Sequence, residues 1–336
     1  MSSVLEIVDF MAQSQSYLTI DVRSPAEYLK GHIPHAVNLP LFTNEERAVI
    51  GTLYKQKGKN EAIETGLEIV GPKMADFARF AKKKGKENKI YVYCWRGGMR
   101  SGSMAWLWDM LGYDVYILKQ GYKAYRHYVL EELGKPIPYT IIGGKTGSGK
   151  TALLYQLQAM GEQIIDLEGI AHHKGSAFGA LGQQPQPTTE QFENLLQQAL
   201  SQLDTGKRIW LEDESKNIGS CYIPNTLWAQ MRQAPLVVVE LPIEVRVARL
   251  VQDYGTEAID GLEECIKKIE RRLGNEAMKE ALKALHERDL ATVARITLRY
   301  YDEAYDHGLT VKDTKQINKY TFEQDDMVQM ATTMLI

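Results

Sequence analysis

The chain has 336 residues, which suggests about two domains. Hydrophobic residues make up 44 % and charged residues 25 %, the balance of a folded enzyme and not of a disordered chain. A net charge of −3 excludes a polybasic nucleic-acid binder, although residues 1–138 carry net +4 and residues 139–336 net −7. Cys94, Cys221 and Cys265 are too few and too scattered for a disulfide framework or a zinc site, and fit a reducing cytosol. The start MSSVLEIVDF carries Glu6 and Asp9 and no basic region, unlike a signal peptide. No apolar run approaches the roughly 18 residues of a membrane span. The expectation is a cytoplasmic protein.

In chain order, YLTIDV (17–22), AVNLP (36–40), IYVYC (90–94) and VYIL (115–118) predict strands. Segments near 25–30, 72–84 and 100–111 predict helices. This alternation predicts an α/β domain with a mainly parallel sheet. KKKGKENK (82–89) reads as a solvated helix end and loop. GKPIP (134–138) predicts a linker that divides residues 1–133 from 139–336. Beyond it, TIIGG (140–144), QIIDLE (163–168), RIWLED (208–213) and LVVVEL (236–241) read as buried parallel strands. From about residue 243 the pattern is mostly helical and strongly charged.

Two local patterns carry chemistry. Cys94 ends an apolar strand and opens CWRGGMRS (94–101), which leads into an apolar helix. Strand end, glycine turn and helix N-terminus together make an anion cradle from backbone amides and the helix dipole. Trp95, Arg96, Gly97, Gly98, Met99 and Arg100 form that cradle, and the two arginines add full charges. All of these favour negative charge at the sulfur or on an oxyanion beside it. A buried, inert cysteine is the bland alternative, and it would need neither the glycine pair nor the arginines.

The second pattern is GKTGSGKT (144–151), comprising Gly144, Lys145, Thr146, Gly147, Ser148, Gly149, Lys150 and Thr151. It fits the phosphate-loop pattern at every fixed position and lies between a strand and a helix, as that motif requires. Lys150 would reach terminal phosphates, and Thr151 could ligate Mg²⁺. WLEDES (210–215) offers Glu212 and Asp213 as a second metal ligand, and spacing does not choose between them. A solvated acidic turn is the competing reading. The motif itself names a diphosphate-like group, borne by a nucleotide or by another molecule.

The first pattern resembles the rhodanese family, whose first conserved block matches DVRSPAEYLKGHIPHAVNLP (21–40) and whose active loop matches CWRGGMRS. The resemblance implies a cysteine that carries a transferable chalcogen, with architectural roles for Asp21, Arg23 and Glu27. Five residues separate Cys94 from Arg100, where single-domain sulfurtransferases usually place four. The wider loop resembles a phosphatase branch of the same fold, though Tyr93 stands where that branch usually has His. A wider cradle suits a bulkier anion.

A rhodanese block followed by a phosphate loop is the layout of the bacterial tRNA 2-selenouridine synthases. The chain resembles them also at residues 44–71, at DLEGIAHHKGSAFGALGQQPQ (166–186) and at EDESKNIG (212–219). The family typically has Asn-His-Arg-Gly-Ser where His172-His173-Lys174-Gly175-Ser176 stand here. The fold implied is an N-terminal rhodanese-like parallel-sheet domain and a C-terminal P-loop NTPase-like α/β domain with a helical C-terminal region. The activity implied is conversion of wobble 2-thiouridine in tRNA to 2-selenouridine through an S-geranyl intermediate. Geranyl diphosphate, selenophosphate and Mg²⁺ would be used, and a selenophosphate-supplying enzyme is a candidate partner. Cys94 would take selenium as a perselenide or present it to the nucleoside.

For tRNA contact the sequence offers Lys174 and the series Arg288, Arg295 and Arg299, which shares one face if its helix is continuous. Tyr300, Tyr301 and Tyr305 beside them could stack bases. Lys55, Lys57 and Lys59 form another basic cluster. Solvated or salt-bridged surface competes with each of these. The apolar residues around Trp106, Trp108 and Leu111 read as core rather than as a prenyl pocket. The functional alternatives are a nucleotide kinase or NTPase with a regulatory rhodanese domain, a phosphatase built on Cys94, and a non-catalytic tRNA-binding scaffold.

Overall fold

The computed structural model describes residues 2–85, 87–314 and 316–335. Lys86, inside the predicted 82–89 loop, lies outside the described residues. The chain forms two units, Met1–Glu132 and Leu133–Ile336. The helix Gly121–Gly134 runs into the first residue of the predicted linker.

The first unit is built on a five-stranded parallel sheet. Its strands are β1 (Ser3–Leu5), β2 (Leu18–Asp21), β3 (Val37–Asn38), β4 (Lys89–Tyr93) and β5 (Asp114–Leu118), in the order β1-β5-β4-β2-β3. Parallel strands buried on both faces need continuous apolar runs. In β4, Ile90, Tyr91, Val92 and Tyr93 are all almost fully buried. Helices Met74–Lys84 and Met99–Met110 pack on the sheet, and Trp108 donates its indole N–H to Phe77 O at 3.2 Å. Trp108 is therefore core, while Trp106 and Leu111 are exposed.

The second unit has a second parallel sheet. Its strands are β6 (Tyr139–Gly144), β7 (Gln163–Ile165), β8 (Ile209–Glu212), β11 (Leu236–Glu240) and β12 (Ile317–Thr321), with β9 (Asn217–Ile218) and β10 (Cys221–Tyr222) forming a separate antiparallel pair. The sheet order is β12-β11-β6-β8-β7, so β6, which leads into the phosphate loop, is central. All six β6 residues are buried. After β11, helices Ile243–Tyr254, Ile259–Lys268, Asn275–His286 and Leu290–Thr310 form the predicted helical region. The sequence reading omits β1 and β12. The first is three residues long, and the second is an edge strand of largely exposed residues.

The first sheet ends on a buried ion pair. Arg23 and Asp21 are both almost inaccessible, and the guanidinium donates to Asp21 through Nε at 2.9 Å and Nη2 at 2.6 Å. Nη2 also donates to Gly31 O at 2.6 Å, and Cζ lies 3.7 Å from the Tyr122 ring centroid. Removing one member strands a buried charge, which costs about 3–5 kcal/mol. Arg23→Met should therefore lower the unfolding free energy by about 3–5 kcal/mol in urea titration followed by tryptophan emission. A loss below about 1 kcal/mol would show that the pair is dispensable.

Candidate active sites

In the first unit, Cys94 directly follows β4 and is buried. Its Sγ lies 3.3 Å from Ser101 Oγ, which also contacts Gly98 O at 3.1 Å. The next segment holds the loop from behind: Tyr122 N donates to Cys94 O at 2.8 Å and Lys123 N to Trp95 O at 3.1 Å. That close approach demands glycine. Gly121 has φ +59°, and a Cβ there would stand 2.2 Å from Cys94 O. Gly97 has φ +63°, and its Cβ would meet Leu118 O at 2.6 Å. Gly98 caps the helix Met99–Met110, while Trp95 and Met99 are exposed at the rim.

The two arginines divide. Arg100 donates Nη1 to Glu27 Oε2 at 2.7 Å and Nη2 to Oε1 at 3.3 Å. Burial alone would raise the Glu27 carboxyl, but Arg100 and the Ser24 N–H hold it below the usual carboxylate range. Arg96 is exposed and has no ion-pair partner among the described residues. The expectation of two full charges free for an anion is thus corrected to one, because Arg100 is committed to Glu27.

In the second unit the phosphate loop follows β6. Gly147 and Gly149 have φ +80° and +75°. The left-handed conformation is what calls for glycine at 149, where a Cβ would otherwise meet only the movable ends of Arg249 and Met327. Lys150 opens the helix Lys150–Ala159, and its Nζ lies 3.4 Å from Gly144 O. The buried Ser148 hydroxyl has no partner among the described residues. Arg246 buttresses the loop from Thr146 O at 3.3 Å while paired with Asp302 at 2.8 and 2.7 Å. Lys145 is bound to Asp306 at 2.9 Å and does not line the cavity described below.

The carboxylates are arranged differently from the sequence expectation. Thr151 Oγ1 donates to Glu168 Oε2 at 3.1 Å, so the acid beside the threonine is Glu168. Glu212 is fully buried, and its Oε2 accepts from Leu167 N at 3.0 Å. Asp213 is ion-paired with Lys312. Neither Glu212 nor Asp213 has a hydrogen bond to Thr151, because the end of β8 turns one into the interior and the other toward Lys312. Burial, then Asp166, Glu168 and Glu214, push the Glu212 carboxyl well above the usual range. Burial and neighbouring Glu168 do the same to Glu214, against the pull of Lys150.

Thr151, Glu168, Lys150 and Glu214 open into a cavity of about 780 Å³. Part of its wall is apolar, with Phe178, Leu250, Val251, Leu262, Leu290, Val293, Ala294 and Leu298, while Gln183, Lys216, Arg232, Arg249, Asp253 and Lys312 make the rest polar. Lys174 is in the cavity wall, its Nζ 4.9 Å from the Tyr254 ring centroid. Tyr301 also lines the cavity and accepts a hydrogen bond from Ala177 N at 3.1 Å. Tyr300 accepts from Arg272 at 2.7 Å. These tyrosines are therefore engaged in packing rather than presented as a base-stacking row.

The three arginines do not share a helix. Arg288 sits at φ +61° between Asn275–His286 and Leu290–Thr310, so the spacing argument fails there. Arg295 is paired with Glu244 at 2.7 Å, and Arg299 is exposed. In the other basic cluster Lys57 lies 3.8 Å from Glu61.

The profile of the tRNA 2-selenouridine synthase AAA domain matches residues 137–334, and that of the rhodanese-like domain matches residues 5–128. The chain belongs to the tRNA 2-selenouridine synthase family. A synthase of that name from Sulfurovum sp. (strain NBC37-1) is 37 % identical over 326 residues, spanning 86 % of this chain and 88 % of its own. Those from Marinobacter nauticus and Aeromonas salmonicida are 36 % and 35 % identical over 330 and 323 residues. They span 87 % and 85 % of this chain and 88 % and 85 % of their own. Among the described residues of this synthase-family chain, no helix is long and apolar enough to cross a membrane.

The raised Glu212 carboxyl has a measurable consequence. As pH rises above about 4.3, the unfolded chain loses this proton before the folded one, so folding becomes progressively less favourable. Glu212→Gln removes that titration. The variant's melting temperature relative to the parent should rise from pH 5 to pH 8. A difference independent of pH would contradict the buried, protonated assignment.

Proposed function

We propose that this chain converts wobble 2-thiouridine of tRNA into 2-selenouridine in two transfers, using geranyl diphosphate and then selenophosphate. The observation that supports the prenyl step is that the phosphate loop opens into a cavity with a continuous set of apolar side chains from Phe178, Leu250, Val251, Leu262, Val293 and Leu298 in its wall. A hydrocarbon tail laid along those apolar side chains would be removed from water without stranding a polar group of its own. At roughly 0.8 kcal/mol per buried methylene, even half of a ten-carbon chain contributes about 4 kcal/mol, roughly a thousandfold in affinity.

In the first transfer the thione sulfur bonds to C1 of the geranyl group and the C1–O bond breaks. The electron pair leaves on the diphosphate, and the base N3 proton passes to water. Lys150 and the loop amides take up the departing charge. Among the described residues no three His, Cys, Asp or Glu side chains form a metal site by themselves. The hard oxygen donors Thr151 and Glu168 nevertheless fit Mg²⁺ shared with the diphosphate, which would add charge neutralisation there.

In the second transfer, a selenium lone pair of selenophosphate attacks C2 and geranylthiolate leaves. The Cys94 thiolate then takes the phosphoryl group from selenium, which leaves the C2 selenone, and water hydrolyses the cysteinyl phosphate to phosphate and free thiol. The Cys94 loop is assigned to this step because it joins a thiol to a glycine-bearing backbone at a helix start, the features of a tetrahedral-anion site, with the exposed Arg96 in the same loop. The cytoplasm, where tRNA is modified, is the fitting compartment.

The test is mass analysis of wobble nucleosides after incubation with thiolated tRNA, geranyl diphosphate and selenophosphate, each omitted in turn. Lys150→Ala should reduce S-geranylation by about a hundredfold or more. Cys94→Ser should retain geranylation, accumulate S-geranyl-2-thiouridine and lack selenium. Undiminished selenium incorporation in Cys94→Ser would overturn the assignment of that loop. Brisk ATP turnover without tRNA would favour a nucleotide enzyme instead.

A further inference from the structure

We propose that the Tyr254 ring stabilises positive charge developing on the allylic carbon of the bound diphosphate ester, so that the site selects allylic diphosphates and cleaves C–O ahead of full C–S bonding. This rests on the reading of the cavity as a prenyl diphosphate site.

Tyr254 is the last residue of the helix Ile243–Tyr254, whose Leu250 and Val251 belong to the apolar wall. Its ring meets the polar side of the cavity through Lys174, whose ammonium lies 4.9 Å from the centroid. On the apolar side the Phe178 ring is 6.1 Å away. Tyr254 thus stands where the diphosphate-binding and hydrocarbon-binding parts of the cavity join. In a bound ester, C1 links those same two parts.

A π face already held against an ammonium is a face that accommodates positive charge. A diphosphate on the phosphate loop offers Lys174 a stronger partner than the ring, which leaves the ring to C1. The loop bearing Lys174 and Phe178 is itself fixed, by Lys174 N donating to Gly179 O at 2.9 Å and by Tyr301 at Ala177 N. Burial raises the Tyr254 hydroxyl, so the ring stays neutral at physiological pH.

The step balances without an added reagent. The C1–O pair leaves on the diphosphate, and the charge spreads over C1 and C3 of the allyl unit. A sulfur lone pair closes the C1–S bond, and the N3 proton goes to water. An analogue saturated at C2–C3 has no π bond through which C3 could share the charge. Citronellyl diphosphate should therefore compete with geranyl diphosphate for binding and not be transferred.

The test replaces Tyr254 by Phe, 4-fluorophenylalanine and 3,4,5-trifluorophenylalanine, and by Leu, in the full chain. Single-turnover geranyl transfer to thiolated tRNA is measured, with the Phe variant as reference. Fluorine withdraws π density at nearly constant shape, so the rate should fall stepwise while KM for geranyl diphosphate moves less than about threefold. Leu should lose roughly ten- to thirtyfold in rate. A flat rate across the fluorinated series, with an active parent, would overturn the role of the ring alone. A parent chain that transfers no prenyl group would overturn the prenyl reading and this inference together.

Discussion

On the proposed function, the second unit depends on placing a diphosphate's charge at the end of a fully buried central strand. Backbone amides can meet such charge at close range, and one lysine at the helix start can add a full positive charge. The turn after β6 supplies both, with Gly147 and Gly149 in left-handed conformations and Lys150 at the helix start. The rest of the unit follows from that demand. Arg246 and Asp302 brace the outside of the loop, and Glu168 orients Thr151. The helices after β11 supply the apolar stretch of the wall beside the loop. The first unit repeats the same device with different chemistry. A buried strand ends in a glycine turn that opens a helix, and a thiol stands where the phosphate loop has only amides.

Acidic side chains are concentrated beside the phosphate loop. Glu212 and Glu214 are buried and held toward their neutral forms, with Glu168 a third carboxyl beside them. Lys150 is the cation that acts on Glu214. Desolvation is the largest cause in both cases, and each carboxyl feels the charge of its acidic neighbours as well.

Much of this architecture is legible in the sequence where the cause is local. The phosphate loop and the Cys94 loop are backbone conformations written in consecutive residues, and the buried strands are continuous apolar runs. The failures have physical reasons. β12 is polar because it is an edge strand, and β1 is too short to show a period. Glu168 lies 17 residues beyond Thr151 on a separate short helix, so only the tertiary fold brings it to the hydroxyl. The apolar wall is collected from residues between 178 and 298, each indistinguishable from ordinary core when read alone. Arg288 adopts a left-handed conformation without the glycine that usually announces one, and so the basic row dissolves. Arg100 looks free in sequence because its partner, Glu27, is 73 residues away.

The central claim is that this phosphate loop serves a hydrocarbon diphosphate rather than a nucleotide. Titration calorimetry of the full chain with geranyl diphosphate, inorganic diphosphate and ADP, repeated at several temperatures, tests it most directly. The account predicts geranyl diphosphate to bind roughly a thousandfold more tightly than inorganic diphosphate, with a negative heat-capacity change from burying the tail. ADP should gain no comparable advantage. Equal affinity for geranyl and inorganic diphosphate, or tighter binding of ADP, would contradict it.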